Sequence, residues 1–353
     1  RHGASVINFI DLDNDNDLDL SWGDYFQQSL YIIWNIGDSD NPVMDNLNIL
    51  TQFPINDPII TAGLNMPTFT DIDQDARRAS MHKVISLVIA LQCLVPAAQA
   101  ELTVGVAKSD ITPPTGGSMY GYGARGKNVS QGIHDHLYAK AIVLRNGGEH
   151  LVIVTLDLGT FTGENLKNVK RLVAKKTDLT NILCIASHSH SAPGLQEDFP
   201  SKKKPYVDDM EAKIADAIIR ASWNMQPASL GLGMGRVEEG FNRRRIVDGV
   251  AEMFWVNRER APTTPVDYSL GLIRVNDAKG APIAHLVNFQ CHPVVLGPEN
   301  LDISADYPGY MMAAVEKALG GQAMFMQDAA GDINPFWDKT PPAEGAFEQC
   351  EKM

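Results

Sequence analysis

From Glu101 onward the apolar positions of the chain recur with two different periods. KAIVLRNGGEHLVIVTLDLG (140–159) is a pair of apolar, β-branched runs around Asn-Gly-Gly, the pattern of a β-hairpin. SLGLIRVNDAKGAPIAHLVNF (269–289) has the same form, ELTVGVAKSDITPP reads as a strand entering a proline-ordered turn, and NILCIASHSH (181–190) and QAMFM (322–326) read as further strands. Between them, GENLKNVKRLVAKKT (163–177), VDDMEAKIADAIIRASW (207–223) and YPGYMMAAVEKAL (307–319) place apolar residues three and four apart, which predicts helices. Hairpin strands interleaved with helices predict an α/β fold, a mixed β-sheet layered with helices. The strand order is not encoded in this pattern.

The first eighty residues follow another rule. In FIDLDNDNDLDL (9–20), Asp11, Asp13, Asp15, Asp17 and Asp19 alternate with other residues after a short apolar run. Closely spaced carboxylates repel one another unless a cation intervenes, and alternating oxygen ligands suit Ca²⁺. FTDIDQD (69–75) repeats the pattern 60 residues later, with a strand-and-turn segment, SLYIIWNIG (29–37), between the copies. The segment resembles the FG-GAP/VCBS repeats of extracellular β-propellers, so residues 1–80 are expected to be a fragment of a β-propeller-type repeat. One repeat and a stub cannot close a propeller.

MHKVISLVIALQCLVPAAQA (81–100) then combines a basic start, an apolar run and Ala-Gln-Ala, the three parts of a secretory signal peptide. The expected organisation is a stray upstream segment (1–80), a signal peptide (81–100) and a domain (101–353) that is secreted or periplasmic. Charge divides at the same place. Residues 1–80 hold thirteen Asp, no Glu and three Arg, a net −10 of the −13 total, which leaves the remainder near neutral. No basic field favours nucleic acid. Cys184, Cys291 and Cys350, the cysteines after the signal, make no disulfide framework.

Histidine carries the candidate chemistry. His134 and His136 (GIHDHLYAK) and His188 and His190 (SHSHSAPG) form two His-x-His pairs, and His292 stands at the end of NFQCHP. On a strand, alternate residues share a face, so each pair can aim two imidazoles at one place. A catalytic zinc takes three protein ligands and keeps a fourth position open.

GVAKSDITPP, GSMYGYG, GIHDHLYAKAIVL, VTLDLG, SHSHSAPG, NFQCHP, ISADYPGY and AAGDINP occur in an order that resembles the neutral/alkaline (non-lysosomal) ceramidase family, over about residues 103–337. The resemblance implies a zinc-dependent hydrolase that cleaves the N-acyl amide of ceramide, a lipid-like substrate met at a membrane surface. It implies His134 and His190 as zinc ligands, with His188 and Asp157 orienting them or handling protons; Asp157 can equally be a structural strand-end carboxylate. His292 and Asp306 match positions lining the same region.

Two departures bear on this. Where the family carries a serine in Gly-[Asp/Asn]-x-Ser-Pro, this chain has Asn334 in Gly331-Asp332-Ile333-Asn334-Pro335. A carboxamide is not an acyl-accepting nucleophile, although it can donate a hydrogen bond to an oxyanion. Zinc-bound water then becomes the expected nucleophile. Secondly, the glutamate and tyrosine that complete the family's zinc shell have no matching segment before Met353, so weak zinc binding and little activity are expected from this chain alone. Two other readings stand beside this one: a Ca²⁺-dependent extracellular adhesion or scaffold protein, and a zinc hydrolase acting on a different acylated substrate.

Overall fold

The computed structural model describes residues 102–195 and 205–353, together with four strands nearer the N-terminus. The chain separates into two compact units, Arg1–Ala98 with Arg244–Met253, and Gln99–Arg243 with Phe254–Met353. In the first unit, Ala4–Ile10, Asp19–Asp24, Ser29–Ile33 and Phe53–Pro54 pair in sequence order as an antiparallel sheet, and Arg244–Val247 pairs with Val250–Met253 as a hairpin. Asp19 opens the second of these strands. Asp11, Asp13, Asp15 and Asp17, the second acidic copy and the signal-like stretch lie outside the described residues.

The second unit is built on eight strands: β1 (Thr103–Asp110), β2 (Tyr138–Asn146), β3 (Glu149–Leu156), β4 (Ile182–Ala186), β5 (Gln226–Arg236), β6 (Ser269–Asp277), β7 (Pro282–Phe289) and β8 (Gln322–Gln327). Its helices are α1 (Gly163–Val173), α2 (Pro205–Trp223), α3 (Tyr307–Leu319) and α4 (Ala346–Lys352). The strands hydrogen-bond in the order β8-β7-β6-β5-β1-β2-β3-β4. β3–β4 and β7–β8 are parallel, and the other pairs are antiparallel. Each parallel pair is joined through a helix, α1 or α3, as a parallel connection requires. The mixed sheet layered with helices expected from the sequence is therefore present, and both hairpins fall at 140–159 and 269–289, where the pattern placed them.

β5 and β1 are joined only through Gln226↔Val104 and Pro227↔Thr103, so the sheet turns at this seam. Val104, Ile142, Leu144 and Ile153 from one half pack with Val275, Ala284, Leu286 and Met324 from the other. Because side chains alternate along a strand, the remaining positions face outward. Ala141, Val143, Val152 and Val154 pack under α1 and α2 with Val169, Met210, Ile214 and Ile218, whereas Ala323, Phe325 and Phe289 pack with Tyr307 and Met312 of α3. The result is four layers, helices on two facing half-sheets on helices. Thr162 caps α1 by accepting from Asn165 N, while the Asn165 side chain accepts from Thr162 N, a capping box that fixes where the helix starts. Among the described residues, no helix is long and apolar enough to cross a membrane.

Candidate metal centre

β3 and β4 are parallel and in register at their ends, Leu156 opposite Ala186. Asp157–Gly159 and Ser187–Ser191 therefore leave the same end of the sheet, the end where α/β folds gather ligands. The strand expected over 181–190 stops at Ala186. Ser187 N and His188 N still donate to Leu156 O and Leu158 O (2.8 Å each), but His188 has φ +67°. A left-handed backbone at a non-glycine residue stores about 1–3 kcal/mol of strain. The His-x-His pair is thus carried by a turn rather than by one strand face. His292 arrives from the loop after β7, as its strand-to-loop position suggested.

His188, His190 and His292 come together with their donor atoms all within 4.8 Å of one another. Their ring centroids are 5.1, 4.8 and 5.0 Å apart. His188 Nδ1 lies 2.8 Å from Gly159 O, and His292 Nδ1 lies 2.9 Å from Ala330 O. A carbonyl only accepts, so both rings hold their proton on Nδ1 and keep the Nε2 lone pair free. The His190 ring makes no hydrogen bond: both its nitrogens are buried and without partners. Burial pushes all three imidazoles below the ordinary histidine pKa, and for His190 and His292 the neighbouring imidazoles push further the same way. Three neutral imidazoles, one of them with both ring nitrogens buried and orphaned, fit a transition-metal ion.

One wall of the cluster comes from the GSMYGYG stretch. Tyr120 meets His188 and His190 edge-on, and Tyr122 meets His190 (centroids 5.3, 5.4 and 4.8 Å). Gly121, with φ +94°, lets the backbone pass directly over the His190 ring. Gly159 does the same for Tyr120, since a β-carbon there would lie 2.1 Å from the Tyr120 ring. These residues carry no chemical signal of their own in sequence, and the Gly-Tyr-Gly triplet taken alone pointed nowhere.

The other candidate residues are distributed around this centre. His134 is exposed and lies apart from the three histidines, its Nε2 2.9 Å from the Tyr310 hydroxyl and its ring stacked on Phe347. His136 turns the opposite way, with Nδ1 2.6 Å from Asp110 Oδ2. The first His-x-His pair diverges because Gly132–Ile133 is a two-residue strand that ends before it. Asp157 is buried and accepts from Tyr138 N (2.8 Å) rather than from a histidine; burial pushes its carboxyl up to about 7. Asn334 is fully buried, donating to Asp338 and accepting from Arg243 Nη1 (3.3 Å). Its loop nonetheless serves the centre through the backbone, as Ala330 O holds His292 Nδ1 and Ile333 O accepts from His292 N (2.9 Å). Asp306 has φ +58° and caps α3 by accepting from Tyr307 N, and it also accepts from Val295 N and Leu296 N in the loop that follows His292.

Residues 102–351 match the model of the neutral/alkaline non-lysosomal ceramidase family, N-terminal. The neutral ceramidase of Pseudomonas aeruginosa is 27% identical over 299 residues, an alignment covering 78% of this chain and 44% of that protein. Neutral ceramidase 1 of Arabidopsis thaliana is 28% identical over 225 residues, covering 60% and 28%. The crystal structure of the P. aeruginosa enzyme superposes with a TM-score of 0.59 at 25% identity, covering 72% of this chain and 43% of that one. The chain spans less than half the length of these relatives.

Proposed function

The chain belongs to the neutral/alkaline non-lysosomal ceramidase family, and from that premise we propose that it forms the metal-binding part of a hydrolase that cleaves the N-acyl amide of a lipid-like substrate, with ceramide as the substrate class. The observation that carries this reading is the convergence of His188, His190 and His292 as three neutral imidazoles, two of them oriented by backbone carbonyls. Those three would hold the metal, read here as zinc. When bound, such an ion polarises a carbonyl and lowers the pKa of water at neutral pH.

The rest falls to the chain's own backbone and side chains. Gly159 O and Ala330 O fix which nitrogen of His188 and His292 is left free to hold the metal. Tyr120 and Tyr122 close one side of the cluster and restrict its solvent. Asn334 holds Asp338 and Arg243 in the neighbouring loop, a supporting role in place of the family's serine. His134 is not among the ligands in this reading. Asp157, bonded to Tyr138 N, acts on the fold rather than on the scissile amide. Secretion and work at a membrane surface complete the proposal. The calcium-dependent adhesion alternative rests on residues 1–75 and does not account for the histidine centre.

The absence of a hydroxyl at position 334 favours keeping a second substrate class in the test, simple N-acyl amines. The gene product containing this chain, purified with and without chelator, is to be assayed for fatty acid release from ceramide and from N-acyl amines. Chelator-sensitive release from ceramide supports the proposal. Release from N-acyl amines alone moves the substrate class, and release indifferent to chelator removes the metal from the reading.

A further inference from the structure

Arg125 is 4% exposed, and among the described residues no carboxylate pairs with it. Its guanidinium instead donates to three backbone carbonyls, through Nη1 to Tyr120 O (2.9 Å) and His190 O (3.0 Å) and through Nη2 to Gly297 O (3.5 Å). Nε has no partner, and the cation lies 5.0 Å from the centroid of the Tyr122 ring. Burying an unpaired charge is costly, and a protein tolerates it where the hydrogen bonds it makes are needed.

The three carbonyls belong to three separate stretches, and each of these builds the metal centre. Tyr120 O lies beside Gly121, over which the His190 ring is seated. His190 O belongs to a cluster histidine itself. Gly297 ends the turn that runs on from His292, closed by Gly297 N donating to Val294 O. Two further bonds stitch the same stretches together, Tyr122 Oη to Val294 O (3.1 Å) and His190 N to Pro293 O (3.1 Å). Among the described residues, the guanidinium is the one side chain that donates to all three. A planar fork of five donors can serve three carbonyls at once, which a lysine ammonium on a flexible stem cannot do in the same geometry.

We propose that Arg125 is a positioning residue of the metal centre, a buried brace that holds the loops of His190 and His292 at the spacing at which their imidazoles converge. It touches neither substrate nor metal. It acts through the backbone of His190 and of the turn after His292. The inference rests on the reading that His188, His190 and His292 hold a metal.

The test uses the full 353-residue chain and Co²⁺ as the probe, with affinity measured by competition against a chromophoric chelator and ligand geometry read from the visible spectrum. Arg125→Gln and Arg125→Lys are compared with Val169→Ala, a truncation in the core under α1 that supplies a control for lost stability. Both arginine variants are expected to bind Co²⁺ about 10–100-fold more weakly with an altered spectrum, the range found when groups supporting metal ligands are removed. Val169→Ala is expected to keep the wild-type affinity and spectrum. Arginine variants with wild-type binding overturn the inference, and so does an equal loss in Val169→Ala. Failure of both arginine variants to fold, judged by circular dichroism, overturns it too, because the residue then serves the whole fold. A wild-type chain that binds no Co²⁺ sinks the metal reading and the inference together, whereas wild-type binding with indifferent arginine variants sinks the inference alone.

Discussion

Gly121 and His190 occupy interlocking space: a β-carbon on residue 121 would lie 2.2 Å from His190 Nδ1 and 2.6 Å from Cε1. The backbone at 121 also has φ +94°, where a side chain is strained by about 1–2 kcal/mol. Gly121→Ala is therefore expected to displace the His190 ring and lower metal affinity by at least about 10-fold. Equilibrium dialysis with Zn²⁺ and a thermal melt check both parts. An alanine variant with one tightly held zinc per chain would mean that the ring has another place to sit.

The cluster makes a clear distinction among the histidines. His188→Ala, His190→Ala and His292→Ala each remove one donor from the three and are expected to reduce zinc affinity by at least about 100-fold, beyond what loss of a supporting partner costs. His134→Ala, which removes only a contact with Tyr310 and Phe347, is expected to leave zinc content near wild type. Loss of zinc in the His134 variant comparable to that in the His190 variant would restore the ligand pair that the family resemblance implies.

Asn334 is held in a buried network with Asp338, whose carboxylate also pairs with Lys339 (2.6 Å). Asn334→Ala leaves Asp338 and Arg243 each short of a partner and is expected to cost about 1–3 kcal/mol of stability. Zinc stoichiometry should stay unchanged, because His292 is supported by backbone carbonyls of this loop and not by the Asn334 side chain. Urea denaturation and metal analysis together decide between this supporting role and a direct one.

Lys140 of β2 donates to Glu316 of α3 (2.7 Å) and to Ala323 O of β8 (2.9 Å), joining the two halves of the folded sheet. Lys140→Met leaves Glu316 as a half-buried charge without its partner. The expected loss is about 3 kcal/mol, the low end for a broken buried pair because Glu316 keeps 27% of its side chain exposed. A midpoint in urea equal to wild type would show that the pair contributes nothing net.

Asp157 ionises near 3.8 when unburied, whereas burial holds its proton until about 7 in the folded chain. Between those values the native state binds the extra proton, so this residue's contribution favours folding below pH 4 and is lost as pH rises through 7. At pH 8 the ionised form costs up to about 4 kcal/mol, at about 1.4 kcal/mol per pKa unit. Asp157→Asn, whose side-chain oxygen can still accept from Tyr138 N, is expected to match wild type near pH 4 and to be more stable at pH 8. Urea midpoints of chelator-treated protein at the two pH values test the sign, and a variant that is less stable at pH 8 reverses it.

Periodicity along the sequence determined most elements of the second unit, because hairpin and helix patterns are local; β5, with its alternating glycines, and the short α4 were not legible in it. Both hairpins, the helices α1, α2 and α3 and the mixed character of the sheet follow from spacing and turn residues within short stretches of chain. The motifs also placed His190 and His292 near chemistry, and the ordered motif set pointed to the family. Which histidines converge was decided only by tertiary structure. His188 left the expected strand for a left-handed turn, and its orientation depends on the carbonyl of Gly159 at the end of another strand. His292 depends on Ala330, 38 residues further along the chain. His134 follows a two-residue strand, and its ring stacks on Phe347 rather than joining the three. Arg125 had no legible role at all, since its partners are backbone carbonyls, which leave no mark in the sequence. Side-chain type is written in the chain, but the direction of a side chain is set by long-range contacts that form only when the half-sheets close on each other.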